Sequence, residues 1–112
     1  MNQAFEKSCL EFKANPVTGN VTWKDATIYD KYQPNQAPDT FSCEIGALVI
    51  VICCNNLYYP NNWLLICPQI GIVRSHYLMT TNPSAENAAK LALKYVAGRL
   101  VSMYDEMQKI EI

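Results

Sequence analysis

Five cysteines and one histidine are the residues of this sequence with the most evident chemical potential. They are Cys9, Cys43, Cys53, Cys54, Cys67 and His76. A structural zinc site draws its ligands from closely spaced pairs. Cys53 and Cys54 are adjacent instead, so in a strand their side chains point to opposite faces. We therefore predict no metal site and no cofactor, and interpret the thiols as small buried apolar groups.

A cysteine nucleophile activated by His76 is the enzymatic alternative, with Cys67 or Cys9 as the thiol. Nothing near either cysteine marks a helix-start thiol, the setting that lowers a thiol pKa. Asp105 and Glu106 are neighbours on a predicted helix, so their side chains diverge by about 100°. The four glycines are scattered and form no phosphate-binding loop. The sequence therefore predicts a protein that is not an enzyme.

Aromatic side chains offer a different kind of chemistry, namely recognition of another macromolecule. Tyr58, Tyr59 and Trp63 stand in an uncharged segment rich in Asn. Tyr and Trp bury a large contact area for little loss of entropy and are enriched at interface hot spots. We predict that these residues belong to a protein interface. The alternative is a loop whose rings fold back on the core.

Length and composition limit the class of protein. The chain has 112 residues, half of them hydrophobic and 17% charged, with a net charge of −1. These values predict one globular domain over residues 1–112 and argue against disorder and against binding driven mainly by nucleic-acid phosphates. The longest apolar run, Ala47–Cys54, is too short to span a bilayer. With no leader and an odd number of cysteines, the sequence predicts a cytoplasmic protein.

The periodicity of apolar residues predicts helix, then strands, then helix. The segment Ala4–Lys13 has Phe5, Cys9 and Phe12 on one side of a short helix, with a strand as the alternative. Strands are predicted over Val21–Tyr29, Thr40–Cys54 with a bulge or bend at Gly46, and Trp63–Cys67, with Ile70–Met79 as the rest of that strand or a fourth one. The fold class is therefore α+β, with a three- to four-stranded antiparallel sheet.

A long helix over Pro83–Lys109, capped by Asn82 or Ser84, closes the chain. Its apolar stripe begins with alanines and continues through Met103 and Met107, with Tyr104 beside them. At 1.5 Å per residue the helix is about 40 Å long, more than the domain's width, so its last two turns should extend beyond the sheet. We predict that Met103, Tyr104 and Met107 form a protein interface.

The central strand carries apolar residues on both faces, which predicts a sheet covered on both sides. The C-terminal helix covers one face, and the short N-terminal helix is too small to cover the other. A second subunit or a partner protein should cover the remainder. We therefore expect a homodimer or a complex with another protein, formed through the sheet or through the extended helix.

The segment Ser84–Leu93 resembles the alanine-rich final helix of double-stranded-RNA-binding domains, whose order of elements is also similar. That family grips phosphates with lysines at the helix start, where this chain has Pro83, Ser84 and Glu86. The resemblance therefore implies a shared topology and leaves nucleic-acid binding, through Lys90, Lys94 and Arg99, as the alternative function.

Trp63, Thr80-Thr81 and the helix start at Ala85-Glu86 resemble small phage-encoded accessory proteins, including anti-CRISPR and other counter-defence proteins. The resemblance covers residues 60–100. It implies a viral protein that is not an enzyme and that inhibits a host defence protein by direct binding.

Overall fold

The structure, a computed structural model, describes residues 3–54, 62–78 and 84–110, and for residues 74–77 it describes the backbone alone. Two helices enclose seven strands in the chain order, which confirms the α+β class. The helices are α1 (Gln3–Ala14) and α2 (Ala85–Gln108). The strands are β1 (Val17–Thr18), β2 (Val21–Thr22), β3 (Lys24–Asp25), β4 (Thr40–Ile45), β5 (Leu48–Cys53), β6 (Leu64–Cys67) and β7 (Ile72–Tyr77), with a 3₁₀ helix at Pro68–Ile70.

The main sheet is antiparallel and has five strands in the order β3-β4-β5-β6-β7, whereas the sequence predicted three or four. β1 and β2 form a separate small hairpin. Segment 70–79 contains its own strand, β7, because the 3₁₀ helix and Gly71, with φ 84°, turn the chain back along β6.

The segment Thr40–Cys54 forms two strands and not one bent strand. Ile45 pairs with Leu48, so Gly46 and Ala47 make a two-residue hairpin loop. Gly46 has φ 59°, the positive value that tight hairpin loops require at their first residue. The predicted bulge at Gly46 was therefore wrong, because the same glycine reverses the chain direction.

The predicted strand over Val21–Tyr29 was also wrong as one continuous element. The chain leaves the sheet after Asp25, whose Oδ1 accepts a hydrogen bond from the Thr27 amide at 3.0 Å. Thr27 Oγ1 then accepts hydrogen bonds from the amides of Asp39 and Thr40, which hold the start of β4 next to Thr27. Local side-chain acceptors thus replace the strand hydrogen bonds that the alternation alone predicted.

The N-terminal segment is a helix, as the spacing of Phe5, Cys9 and Phe12 predicted, and these three residues are its buried side. The Ser84 side chain accepts a hydrogen bond from the Asn87 amide and so caps α2. Ser8 of α1 accepts another from the Ala85 amide. Two of the unpaired donors at the start of α2 are therefore satisfied, one of them by the neighbouring helix.

Both helices pack on the same face of the main sheet. Phe41, Ile52 and Leu65 lie opposite one another in the strand register and are fully buried. They share one hydrophobic core with the apolar sides of α1 and α2. Phe12 and Phe41 pack edge to face with ring centroids 4.9 Å apart. The expectation that the two helices lie on opposite faces of the sheet was therefore wrong.

Candidate protein interface

The second half of α2 extends beyond the buried core of the molecule. Ala85, Ala88, Ala89, Ala92 and Val96 are buried, whereas every residue from Ala97 to Ile110 is exposed. We call Ala97–Gln108 the α2 end. It measures about 18 Å at 1.5 Å per residue and makes the molecule 57 Å long, although its other dimensions are 30 and 28 Å. The extension is longer than the two turns that the sequence predicted.

Apolar side chains follow the α2 end on the side that carries the core residues in the first half of the helix. We call Leu100, Met103, Met107 and Ile110 the end stripe. Met107 is 67% exposed and Met103 42%, and Tyr104 beside them is 63% exposed. The Ile110 amide donates to the Met107 carbonyl at 3.1 Å, which keeps the last stripe residue on the turn that closes the helix. The end stripe therefore has the apolar spacing of a buried helix side, but its residues are exposed to solvent.

Two opposite charges border the end stripe on one side. Arg99 precedes Leu100 and Glu106 precedes Met107, so each occupies the same position relative to the stripe. Together with Ser102 and Met103 they line one wall of a groove of about 560 Å³. Residues 69–71, at the end of the 3₁₀ helix, line the opposite wall. The site thus combines apolar contact area with a polar margin, the composition of a protein interface.

The three aromatic residues proposed from the sequence have different outcomes. Trp63 is fully buried and packs between Phe5 and Phe41, with ring centroids 6.4 and 6.5 Å away. Its ring therefore contributes to the core of the described chain and not to its surface. Tyr58 and Tyr59 lie outside the described residues.

The cysteines are mostly buried, and none forms a disulfide within the described residues. Burial raises the pKa of Cys43 to about 11 and also raises the pKa of Cys53 and Cys67. The Cys54 pKa is raised by its contact with Cys9, whose Sγ lies 3.6 Å away, and by burial. These shifts favour the thiol over the nucleophilic thiolate.

The strand register does not place Cys67 opposite His76. Cys67 pairs with Ile72, whereas His76 pairs with Leu65. Cys67 is fully buried, and its thiol donates to Gln69 Oε1, with the sulfur and the oxygen 3.7 Å apart. Cys9 is fully buried too and lies against Cys54. The geometry of the described residues therefore gives the cysteine-nucleophile alternative no support.

Three carboxylates share one groove but form no metal site. Glu6, Asp30 and Asp39 line an open groove of about 590 Å³ between α1 and the loop before β4. Within the described ranges, no three His, Cys, Asp or Glu side chains come close enough together to hold a metal ion. The groove is therefore lined by acidic side chains, but those side chains do not form a metal-binding site.

The three cations that a nucleic-acid interface would need do not all lie on one face of α2: Lys90 and Lys94 are neighbours one turn apart, but Arg99 is not on their side of the helix. Lys90 forms an ion pair with Glu86 one helical turn earlier, with Nζ and Oε1 3.4 Å apart. Lys94 and Arg99 are five residues apart, which separates them by about 140° around the helix. The helix therefore presents no continuous basic surface to a phosphate backbone.

The outer face of the main sheet is a second apolar surface. Val49, Val51 and Ile66 are half-buried there, and Val73 is exposed. Ser42 and Leu64 on the same face are buried. Neither described helix lies over this face, because the buried sides of both belong to the core on the other face.

Sequence reasoning missed two features that the structure shows. Ile28 and Tyr32 are strongly exposed in the loop after β3, because the chain leaves the sheet earlier than the alternation predicted. The second missed feature is that Arg99 and Glu106 carry opposite charges at equivalent positions beside the end stripe. Their seven-residue spacing was the signal that could have identified them.

No helix among the described residues has both the length and the apolar character needed to cross a bilayer. No protein-family model, curated protein or solved structure matches this chain.

Proposed function

We propose that this chain is a protein-binding module that acts through the α2 end. The observation that carries the proposal is the end stripe, an apolar helix side that emerges from the core and remains exposed. An amphipathic helix that presents anchors at three- and four-residue steps is a recurrent mode of recognition between proteins. Exposed apolar surface of this regularity is characteristic of interaction sites.

The proposal extends to the consequence of binding. The sequence resemblance to phage-encoded counter-defence proteins supports a module that inhibits a host defence protein by occupying its surface. The raised pKa values of four thiols support a role in binding over a role in catalysis. All five cysteines are thiols in the structure, which supports a reducing, cytoplasmic compartment for this activity.

Site-specific photo-cross-linking tests the proposal directly. Benzoylphenylalanine replaces Met107 on the end stripe or, as the matched control, Asp105 two residues away on the opposite side of the helix. We expect protein adducts from position 107 and few from position 105 when expressing cells are irradiated. Equal labelling from both positions, or no adduct from position 107, would contradict the proposal.

A further inference from the structure

We propose that the occupant of the α2 end is the α2 end of a second copy of this chain, packed side by side and antiparallel. This inference rests on the proposed function, because it assigns a partner to the same surface, and a host protein that binds the α2 end would compete with the second copy for it. It also goes further, since it fixes the direction of the two helices and the residues that face each other.

The spacing of the apolar residues fits a pair of helices. Val96, Leu100, Met103, Met107 and Ile110 follow one another at alternating steps of four and three. That alternation is the repeat of a two-helix seam, in which apolar residues of one helix pack between those of the other. Val96 is buried in the chain's own core, so the seam would continue that core outward.

The charges beside the stripe favour the antiparallel direction. Arg99 and Glu106 occupy equivalent positions one heptad apart, on the same side of the stripe. They are about 10.5 Å apart along the axis, too far to pair with each other. Neither takes part in an ion pair with another described residue of its own chain.

In an antiparallel pair, this side of one helix faces the same side of the other. Arg99 then faces Glu106 of the second copy, and the two-fold axis repeats the contact at the other end. In a parallel pair, the same side would face the side that carries Ala97 and Tyr104, where Arg99 would lie level with Tyr104 and meet no opposite charge. The pattern of charge is therefore self-complementary in the antiparallel direction only.

The register follows from two separate features. Pairing Arg99 with Glu106 places the symmetry axis midway between Ser102 and Met103. Overlapping the two exposed segments completely, with Ala97 of one copy level with Gln108 of the other, places it at the same point. This arrangement also sets the two globular bodies at opposite ends of the helix pair, because each body lies at the start of its own α2.

The interface is small, so the dimer should be weak. A helix pair of this length buries less than the 1,200–2,000 Å² that is typical of stable complexes. We therefore expect a monomer–dimer equilibrium between about 1 µM and about 1 mM protein, the range in which modest interfaces dissociate.

Charge reversal with rescue, followed by sedimentation velocity, tests the inference. Arg99→Glu and Glu106→Arg should each raise the dimer Kd about tenfold, because each sets like charges against each other twice. Combining both substitutions restores opposite charges and should return the Kd to near the wild-type value. Asp105→Lys, on the far side of the helix, is the matched control and should leave the Kd unchanged.

The outcomes separate this inference from the proposed function. A mass of 12.7 kDa at every concentration, or a doubly reversed chain that does not recover, would overturn the antiparallel pair. If position 107 then still cross-links to other proteins, the α2 end is a binding surface with a foreign partner. If it cross-links to nothing, both proposals fail. Circular dichroism of each variant verifies that α2 is intact.

Discussion

Asp25 lies in a cluster of polar side chains where the chain leaves the sheet after β3. Burial acts to raise its pKa, but hydrogen bonds from Thr27, Tyr29 and Lys13 outweigh that effect and leave the pKa below its ordinary value of 3.8. Lys13 Nζ lies 3.4 Å from the Asp25 carboxylate and also donates to Tyr29 Oη at 3.2 Å. The cluster fastens α1 to the segment at which the chain leaves the sheet.

Because the folded-state pKa of Asp25 is lowered, its ionised form stabilises the fold. This contribution is complete above the unfolded pKa and is lost as the pH falls through the folded one. We predict that Asp25→Asn lowers the free energy of unfolding at pH 7, and that its deficit relative to wild type shrinks as the pH falls below about 4. Urea denaturation at several pH values measures this, with the exposed Asp105→Asn as control. A deficit that does not vary with pH would contradict the assignment.

Helices whose apolar residues recur over several helical turns could be predicted from the sequence. Phe5, Cys9 and Phe12 identified α1, and the long stripe identified α2 and its extension beyond the sheet. Gly46 could not be resolved into bulge or hairpin, because both use a glycine with positive φ and the choice depends on which strand pairs with which. The assignment of both helices to one sheet face also depends on tertiary packing, which local periodicity does not contain.

The burial of Trp63, which the sequence placed at the candidate interface, also depends on tertiary packing. Its neighbours Asn61 and Asn62 are polar, so the sequence suggested a surface loop. The ring is nevertheless buried between Phe5 of α1 and Phe41 of β4. The end stripe could be found because its period is independent of what the rest of the chain does, whereas the burial of Trp63 depends on residues far away in sequence.

A preformed α2 end requires that the exposed half of the helix is stable without a partner. Gly98 lies within this half, and a Cβ added there would meet no atom within 4 Å. We predict that Gly98→Ala raises the free energy of unfolding by about 0.5–1 kcal/mol, because alanine loses less backbone entropy in a helix. Urea denaturation with circular dichroism measures the change.

Gly46→Ala is the matched control, because the same substitution there meets open space but a φ of 59°. It should lower stability by about 1 kcal/mol or more, since a side chain strains the left-handed conformation. If Gly98→Ala gives no gain while Gly46→Ala shows its loss, the second half of α2 is not helical in the free chain.

At the scale of the molecule, the shape is a compact body from which the α2 end projects. The long axis is 57 Å, about twice the other two dimensions of 30 and 28 Å, and the α2 end accounts for about 18 Å of it. One side of the α2 end is apolar, and ordering such a segment has an entropic cost that exposed residues do not repay. A partner that buries the end stripe would supply the missing stabilisation, since each fully buried Met or Leu contributes about 1.5–3 kcal/mol.

The most direct test of this account replaces Met103 and Met107 together with aspartate and measures the mass of the chain's complexes after cross-linking in expressing cells. The matched control carries the same two charges away from the stripe, at Val101 and Gln108. Because all four positions are exposed, each substitution should change the free energy of unfolding by no more than about 0.5 kcal/mol. We predict that Met103→Asp with Met107→Asp abolishes the complexes, whereas Val101→Asp with Gln108→Asp preserves them. Complexes of undiminished mass and amount in the Met103→Asp, Met107→Asp variant would show that the α2 end is not the binding surface.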